Sequence, residues 1–165
     1  MSSPIDGSGF FRGITPAGPA FVRPPWSLPE AVFLALCTGC GGCRDECPRG
    51  LLQKDTRGLP FVDFSQGACD FCGECVDACA RGALTRRYHG ASWGPWQLKA
   101  RVSDACLGDQ GVACRQCIEE CHVHAIHLGA GRCVPAIDVQ RCNGCGACFT
   151  TCPSGAIGLF DPASA

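Results

Sequence analysis

The sequence predicts an α+β chain of two tandem, pseudo-symmetric units dominated by cysteine, with an irregular N-terminal arm. Three observations predict it. Sixteen of the 17 cysteines fall into four loops with closely similar thiol spacing. Each loop is followed by a similar tail: PRGLL at 48–52, ARGAL at 80–84, HVHAI at 122–126 and PSGAI at 153–157. Each tail ends in small or aliphatic residues that suit a short strand. The strand-like segments 60–64 (PFVDF) and 135–139 (PAIDV) precede the second and fourth loops. Loop two begins 22 residues after Cys47, and loop four 21 residues after Cys121. Loops one and two therefore form one unit, and loops three and four a second.

In chain order, residues 1–26 form the arm, and the first 22 are polar, rich in Gly and Pro and without periodicity. Arg23, Pro24, Pro25 and Trp26 close it. They read as a polyproline II stretch whose Trp packs on the domain behind, or as a docking peptide; the habit of Trp to bury favours the first. Ser27-Leu28-Pro29-Glu30 has a capping-box pattern and opens a short apolar helix over 31–36, which delivers the first loop. Unit one spans 27–85 and contains Cys37, Cys40, Cys43 and Cys47, then Cys69, Cys72, Cys75 and Cys79. Pro48 follows loop one, whereas Ala80 follows loop two and loosens its exit turn. A linker over 86–102 carries Arg86, Arg87, Trp93, Trp96, Lys99 and Arg101. It reads as a packed connection with solvated basic residues, the alternative being a partner-facing surface.

Unit two spans 103–160, with a tail over 161–165. Its first loop departs from the pattern: seven residues separate Cys106 from Cys114, Cys117 and Cys121, and His122 replaces the Pro. The last loop, Cys142, Cys145, Cys148 and Cys152, ends on Pro153. Cys133 fits no loop; a small buried thiol is the favoured reading and a substitute ligand the alternative. His122, His124 and His127 lie beyond Cys121. On a strand the first two share a face and the third points away, which disfavours a mononuclear metal site.

The spacing C-x2-C-x2-C-x3-C-P in 142–153 is a ligand signature for a cubane iron–sulfur cluster. Three thiolates two residues apart wrap one cluster only on a tight loop, and Gly144 and Gly146 permit that turn and bring amide N–H groups near the sulfurs. A zinc knuckle has different paired spacing. The sequence thus implies three to four 4Fe–4S clusters, four being favoured because Cys106 stays in register with the repeat; three converging thiolates would leave a labile corner or a 3Fe–4S centre.

Each unit resembles a bacterial two-cluster ferredoxin, in which the fourth cysteine ligates the neighbouring cluster. That crossing assigns Cys37, Cys40, Cys43 and Cys79 to one cluster, and Cys69, Cys72, Cys75 and Cys47 to a second. Cys142, Cys145, Cys148 and Cys121 hold a third, and Cys106, Cys114, Cys117 and Cys152 the last.

Composition bounds the rest. The hydrophobic fraction is 46%, but cysteine inflates it; aromatic residues are only 8%, and 22 Gly with 12 Pro mark many turns. So small a core needs inorganic clusters to fold. The N-terminus has no apolar signal region and no twin arginine beside Arg12, and no stretch suits a membrane span, so a reducing cytoplasm is expected. The formal charge of −1 becomes more negative with clusters bound, which disfavours nucleic acid. No nucleophile–base pair or nucleotide-binding glycine motif points to an enzyme.

Arg23-Pro24-Pro25-Trp26, the lengthened third loop behind Asp104-Ala105-Cys106-Leu107, and Arg141-Cys142-Asn143-Gly144-Cys145-Gly146-Ala147-Cys148 together resemble the NapF family, ferredoxin-type proteins encoded with the periplasmic nitrate reductase. The resemblance runs across nearly the whole chain; Ala80 and the missing arginine pair near Arg12 depart from it without touching a ligand. It implies a cytoplasmic iron–sulfur protein that contacts the precursor of the catalytic subunit, NapA, and assists its maturation before export. It also gives Arg23–Trp26 a recognition role. The alternative function is an electron-transfer ferredoxin subunit within an oxidoreductase complex. A cysteine-rich zinc protein is the third reading.

Overall fold

A computed structural model describes residues 22–162 of the chain; most of the arm and the last three residues lie outside it. The described residues contain five short α-helices, one 3-10 turn (Phe64–Gln66) and eight short strands in four two-stranded antiparallel sheets. Helix α1 (Glu30–Leu36) leads into the first loop. Strands β1 (Leu52–Lys54) and β2 (Pro60–Val62) follow, with Leu52 opposite Val62. Unit two repeats this hairpin as β6 (Ile126–Leu128) and β7 (Pro135–Ile137), with Ile126 opposite Ile137. Both hairpins arise as the sequence pattern implies: the aliphatic end of a cysteine tail pairs with the apolar run before the next loop.

Unit two closes with an outer pair, β5 (Lys99–Val102) and β8 (Ile157–Phe160). Its counterpart in unit one shrinks to a single bridge between Ser27 and Leu84, with backbone bonds from Leu28 to Ala83 and from Thr85 to Trp26. Pro24, Pro25 and Pro29 explain the reduction, since none has an N–H for a ladder. The linker is structured: β3 (Arg87–Tyr88) and β4 (Ala91–Ser92) form a small hairpin, and β5 takes residues 99–102 into unit two.

Three local expectations need correction. The arm does not reach residue 26: Val22 accepts a bond from the Val62 amide, Pro24 and Pro25 are buried, and the Trp26 amide donates to Pro95. Ser27 does not cap α1. Its hydroxyl donates to the Pro24 carbonyl, Pro29 holds the N-cap position, and the Glu30 carboxylate accepts from Arg23. Residues 122–124 form a turn rather than a strand, with His124 at φ +50°. Its equivalents in the other tails are Gly50, Gly82 and Gly155, all left-handed, so the repeat demands that conformation and His124 bears its strain.

The core is continuous across both units. Phe33, Leu51, Leu52, Leu84, Ile126 and Ile157 are buried, and the third cysteine of each loop is buried with them. Asp55 is the buried charged side chain among the described residues. Its carboxylate accepts from the Arg57 and Leu59 amides at 2.9 Å each and from Arg23 Nη1 at 3.3 Å. Burial pushes the Asp55 carboxyl up, but these donors outweigh it and hold it below the usual range.

Candidate metal centres

In each loop the third cysteine sits in one helical turn, a feature the spacing alone does not reveal. These turns are α2 (Gly42–Asp45), α3 (Glu74–Asp77), α4 (Gln116–Glu119) and α5 (Ala147–Thr151). In loops one, two and four the turn starts from a left-handed glycine, Gly41, Gly73 and Gly146, at φ between +87° and +96°. The third loop has Arg115 there, at φ −132°. Helices α2 and α3 pack together, as do α4 and α5, which places the buried third cysteines of each unit side by side.

The cysteines gather in four groups, each drawing three thiols from one loop and one from the loop paired with it. One hollow is lined by Cys37, Cys40, Cys43 and Cys79. A second is lined by Cys47, Cys69, Cys72 and Cys75, beside Trp26, Phe71 and Trp96. A third is lined by Cys121, Cys142, Cys145 and Cys148. In the remaining group Cys152, Cys106 and Cys114 lie close enough to Cys117 to add to the upward push of burial on its thiol. The seven-residue stretch after Cys106 coils through consecutive turns, from Asp109–Cys106 to Val112–Leu107, which keeps the longer loop compact. Gly108 fits against the Cys133 carbonyl, where any Cβ would clash. Cys133 itself is exposed, not the small buried thiol expected; it lies in the β6–β7 connection, away from the core.

Burial pushes the thiols up, and neighbouring thiols add to it. Cys43 rises to about 11 through burial and then Cys37, Cys79 and Cys40. Cys69 and Cys75 rise to about 12, again chiefly by burial. Cys148 reaches about 12 through burial, then Cys145, Cys142 and Cys121. Each group crowds four sulfurs around at least one buried cysteine, and such sulfurs are costly as thiolates unless a cation sits among them. Backbone N–H groups are already aimed at several: Leu84 donates to Cys79 at 3.4 Å, Ala100 to Cys142 at 3.4 Å, Ala125 to Cys121 at 3.2 Å and Ala156 to Cys152 at 3.2 Å. Four-thiol sets with N–H donors on the sulfurs fit 4Fe–4S clusters. Among the described residues no three His, Cys, Asp or Glu side chains close on a single ion. Thiols at the corners of a cubane stand farther apart than the ligands of one tetrahedral ion.

The segment Arg23–Trp26 is tied inward. Arg23 binds Glu30, Asp55 and the Pro60 carbonyl, and its guanidinium lies 5.0 Å from the centre of the Phe33 ring. Trp26 stays half-buried at φ +60°, edge-on to Phe71 and covered by Arg86. The linker tryptophans also serve packing: Trp93 Nε1 donates to Ser27, and Trp96 Nε1 to Asn143. Lys99 donates to the Cys142 carbonyl. Phe71 was not legible as a site residue, yet a signal existed. It occupies the left-handed position, φ +57°, that Gly39 and Gly144 hold in loops one and four.

No helix among the described residues is long and apolar enough to cross a membrane. The 4Fe–4S dicluster domain family matches residues 36–84, and the 4Fe–4S binding domain family matches 134–157. The chain is 40% identical over 139 residues to the ferredoxin-type protein NapF of Escherichia coli (strain K12), covering 82% of each chain. It is 39% identical over 143 residues to the Haemophilus influenzae protein of the same name, covering 85% of this chain and 79% of that one. Similarity extends to the methylamine utilization ferredoxin-type protein MauM of Paracoccus denitrificans, 31% identical over 161 residues, 87% of this chain and 72% of the relative.

Proposed function

The chain belongs to the NapF family of ferredoxin-type iron–sulfur proteins, and from that premise we propose that it is a cytoplasmic accessory protein that assists maturation of the nitrate reductase catalytic subunit before export. In this reading the chain is two tandem two-cluster units, and its four crossed cysteine groups hold four 4Fe–4S clusters. The observation that carries it is the sorting of sixteen thiols into four groups across paired loops. Bound there, a cluster takes up or releases one electron. The residues do the rest: the third cysteine of each loop, in its helical turn, anchors the group in the core, the backbone N–H groups orient and stabilise the sulfurs, and the crossed fourth cysteine ties two loops into one folding unit.

The partner in this reading is the unexported NapA precursor, engaged by clusters or surface for cluster loading or redox adjustment. With Arg23, Pro24 and Pro25 tied inward, Trp26 and its Arg86 cover are the part of the Arg23–Trp26 segment left to face a partner. The test is capture of the unexported catalytic subunit by cluster-loaded protein, together with nitrate reductase activity in a deletion strain. Recovery of the subunit and loss of activity are expected; no recovery with unchanged activity removes the proposal. The second reading, an electron relay, is favoured by the contact between groups described next. Stoichiometric reoxidation by a physiological acceptor supports it, and no turnover with any candidate counts against it.

A further inference from the structure

The cysteine groups of the two units meet. The Cys69 amide donates to the Cys145 carbonyl at 2.8 Å, so a loop of unit one and a loop of unit two are hydrogen-bonded through cysteines of different groups. Trp96 lines the Cys69 hollow and donates at 3.0 Å to Asn143, which lines the Cys142 hollow. Phe64 completes the seam, with its ring 5.8 Å from Trp96 and 6.3 Å from Phe149. Gly146 lets Phe64 in: a Cβ there would overlap the ring at 2.3 Å. Within each unit the groups also abut, since α2 packs on α3 and α4 on α5.

We propose that Phe64, Trp96 and the Cys69–Cys145 bond hold the two middle groups against each other, so that the chain presents its four thiol sets as one linear series. The order is the Cys37 group, the Cys69 group, the Cys142 group and the Cys106 group, instead of two insulated pairs. The series rests on the four-cluster reading above. A transfer across the seam oxidises one cluster by one electron and reduces its neighbour by one, and no proton moves. Tunnelling falls off steeply with the protein thickness crossed, and here two hydrogen bonds and the Trp96 and Phe64 rings make up the seam. Trp96 and Phe64 are positioning residues: they set the separation without ligating.

The test is EPR of the full-length, anaerobically reduced protein, read beside its iron and sulfide content. Replacing Cys37, Cys40, Cys106 and Cys114 by Ala empties the outer groups and spares both middle ones. That variant should retain about eight iron atoms per chain, four for each remaining cluster, and show a split, fast-relaxing signal from two interacting spins. Two additive, non-interacting signals at that iron content would overturn the series. If the variant loads less iron, the wild-type chain decides: its fully reduced spectrum should require three pairwise couplings. A wild-type spectrum that needs only two overturns the proposal. Material with no iron or sulfide refutes the four-cluster reading instead.

Discussion

Arg23→Met removes the charge that compensates the buried Asp55, and the structure sets the scale of the loss. The Asp55 side chain is 1% exposed and that of Arg23 10%, so their contact at 3.3 Å is shielded from water. The variant leaves Asp55 with its two amide donors and with Arg57, which stands 3.6 Å away and is 59% exposed. Breaking a buried pair from one side costs about 3–5 kcal/mol. The remaining donors lower that to about 2–4 kcal/mol, and the outer bond to the 42%-exposed Glu30 adds under about 1 kcal/mol. For a chain of this size that is a fall of roughly 5–15 °C in Tm. The assay is anaerobic thermal unfolding at one fixed scan rate, followed by visible absorbance and far-UV circular dichroism. Asp55→Asn in the Arg23→Met background should recover part of the loss, because no buried charge is then stranded. The pH signature has a defined sign. The folded Asp55 carboxyl lies below its unfolded value, so its contribution is present above about pH 4 and disappears as pH falls through the folded value. A Tm change under about 2 °C, or strict additivity with Asp55→Asn, would refute the reasoning. Unchanged stability with lost partner capture would instead make Arg23 a docking residue.

Gly144→Ala should empty the Cys142 group, because φ is +73° and the added Cβ meets the Leu98 carbonyl at 2.4 Å; Gly155→Ala, at φ +62° in open space, should cost only about 1–2 kcal/mol. Iron content per chain checks both, and equal iron loss in the two would contradict this. Cys47→Ala should leave the same residual EPR spectrum as Cys72→Ala, and Cys79→Ala the same as Cys40→Ala, since the fourth cysteines cross. A match between Cys47→Ala and Cys40→Ala would show uncrossed ligation. Cluster loss to a chelator should accelerate about tenfold or more from pH 8 to pH 6, because thiols raised to about 11–12 must give up protons to ligate and protons compete at every lower pH. A rate independent of pH would contradict thiolate ligation.

Much of the thiol framework was legible because cysteine spacing and tail repeats are local. The three residues between the last two cysteines mark each loop, and the aliphatic ends at Leu52, Ile126 and Ile157 become strands. What was not legible depends on long-range contacts. Ser27 carries a capping signature, but Arg23 takes the Glu30 carboxylate and the Ser27 hydroxyl turns back to Pro24. Cys133 has the composition of a core thiol, yet the β6–β7 connection holds it at the surface. In loops one, two and four the helical turn follows from a left-handed glycine ahead of the third cysteine, a conformation that spacing does not encode. The seam of Phe64, Phe71 and Trp96 joins residues up to 32 positions apart, and only Phe71, in the place of a glycine, hinted at it.

The central claim is that four crossed thiol sets hold four cubanes. Iron and acid-labile sulfide, measured per chain on anaerobically purified protein, test it most directly. The expected result is about sixteen of each, four for every cluster, with all of the iron reducible to an EPR-active form. A folded protein that contains zinc in place of iron, or no metal at all, would contradict it.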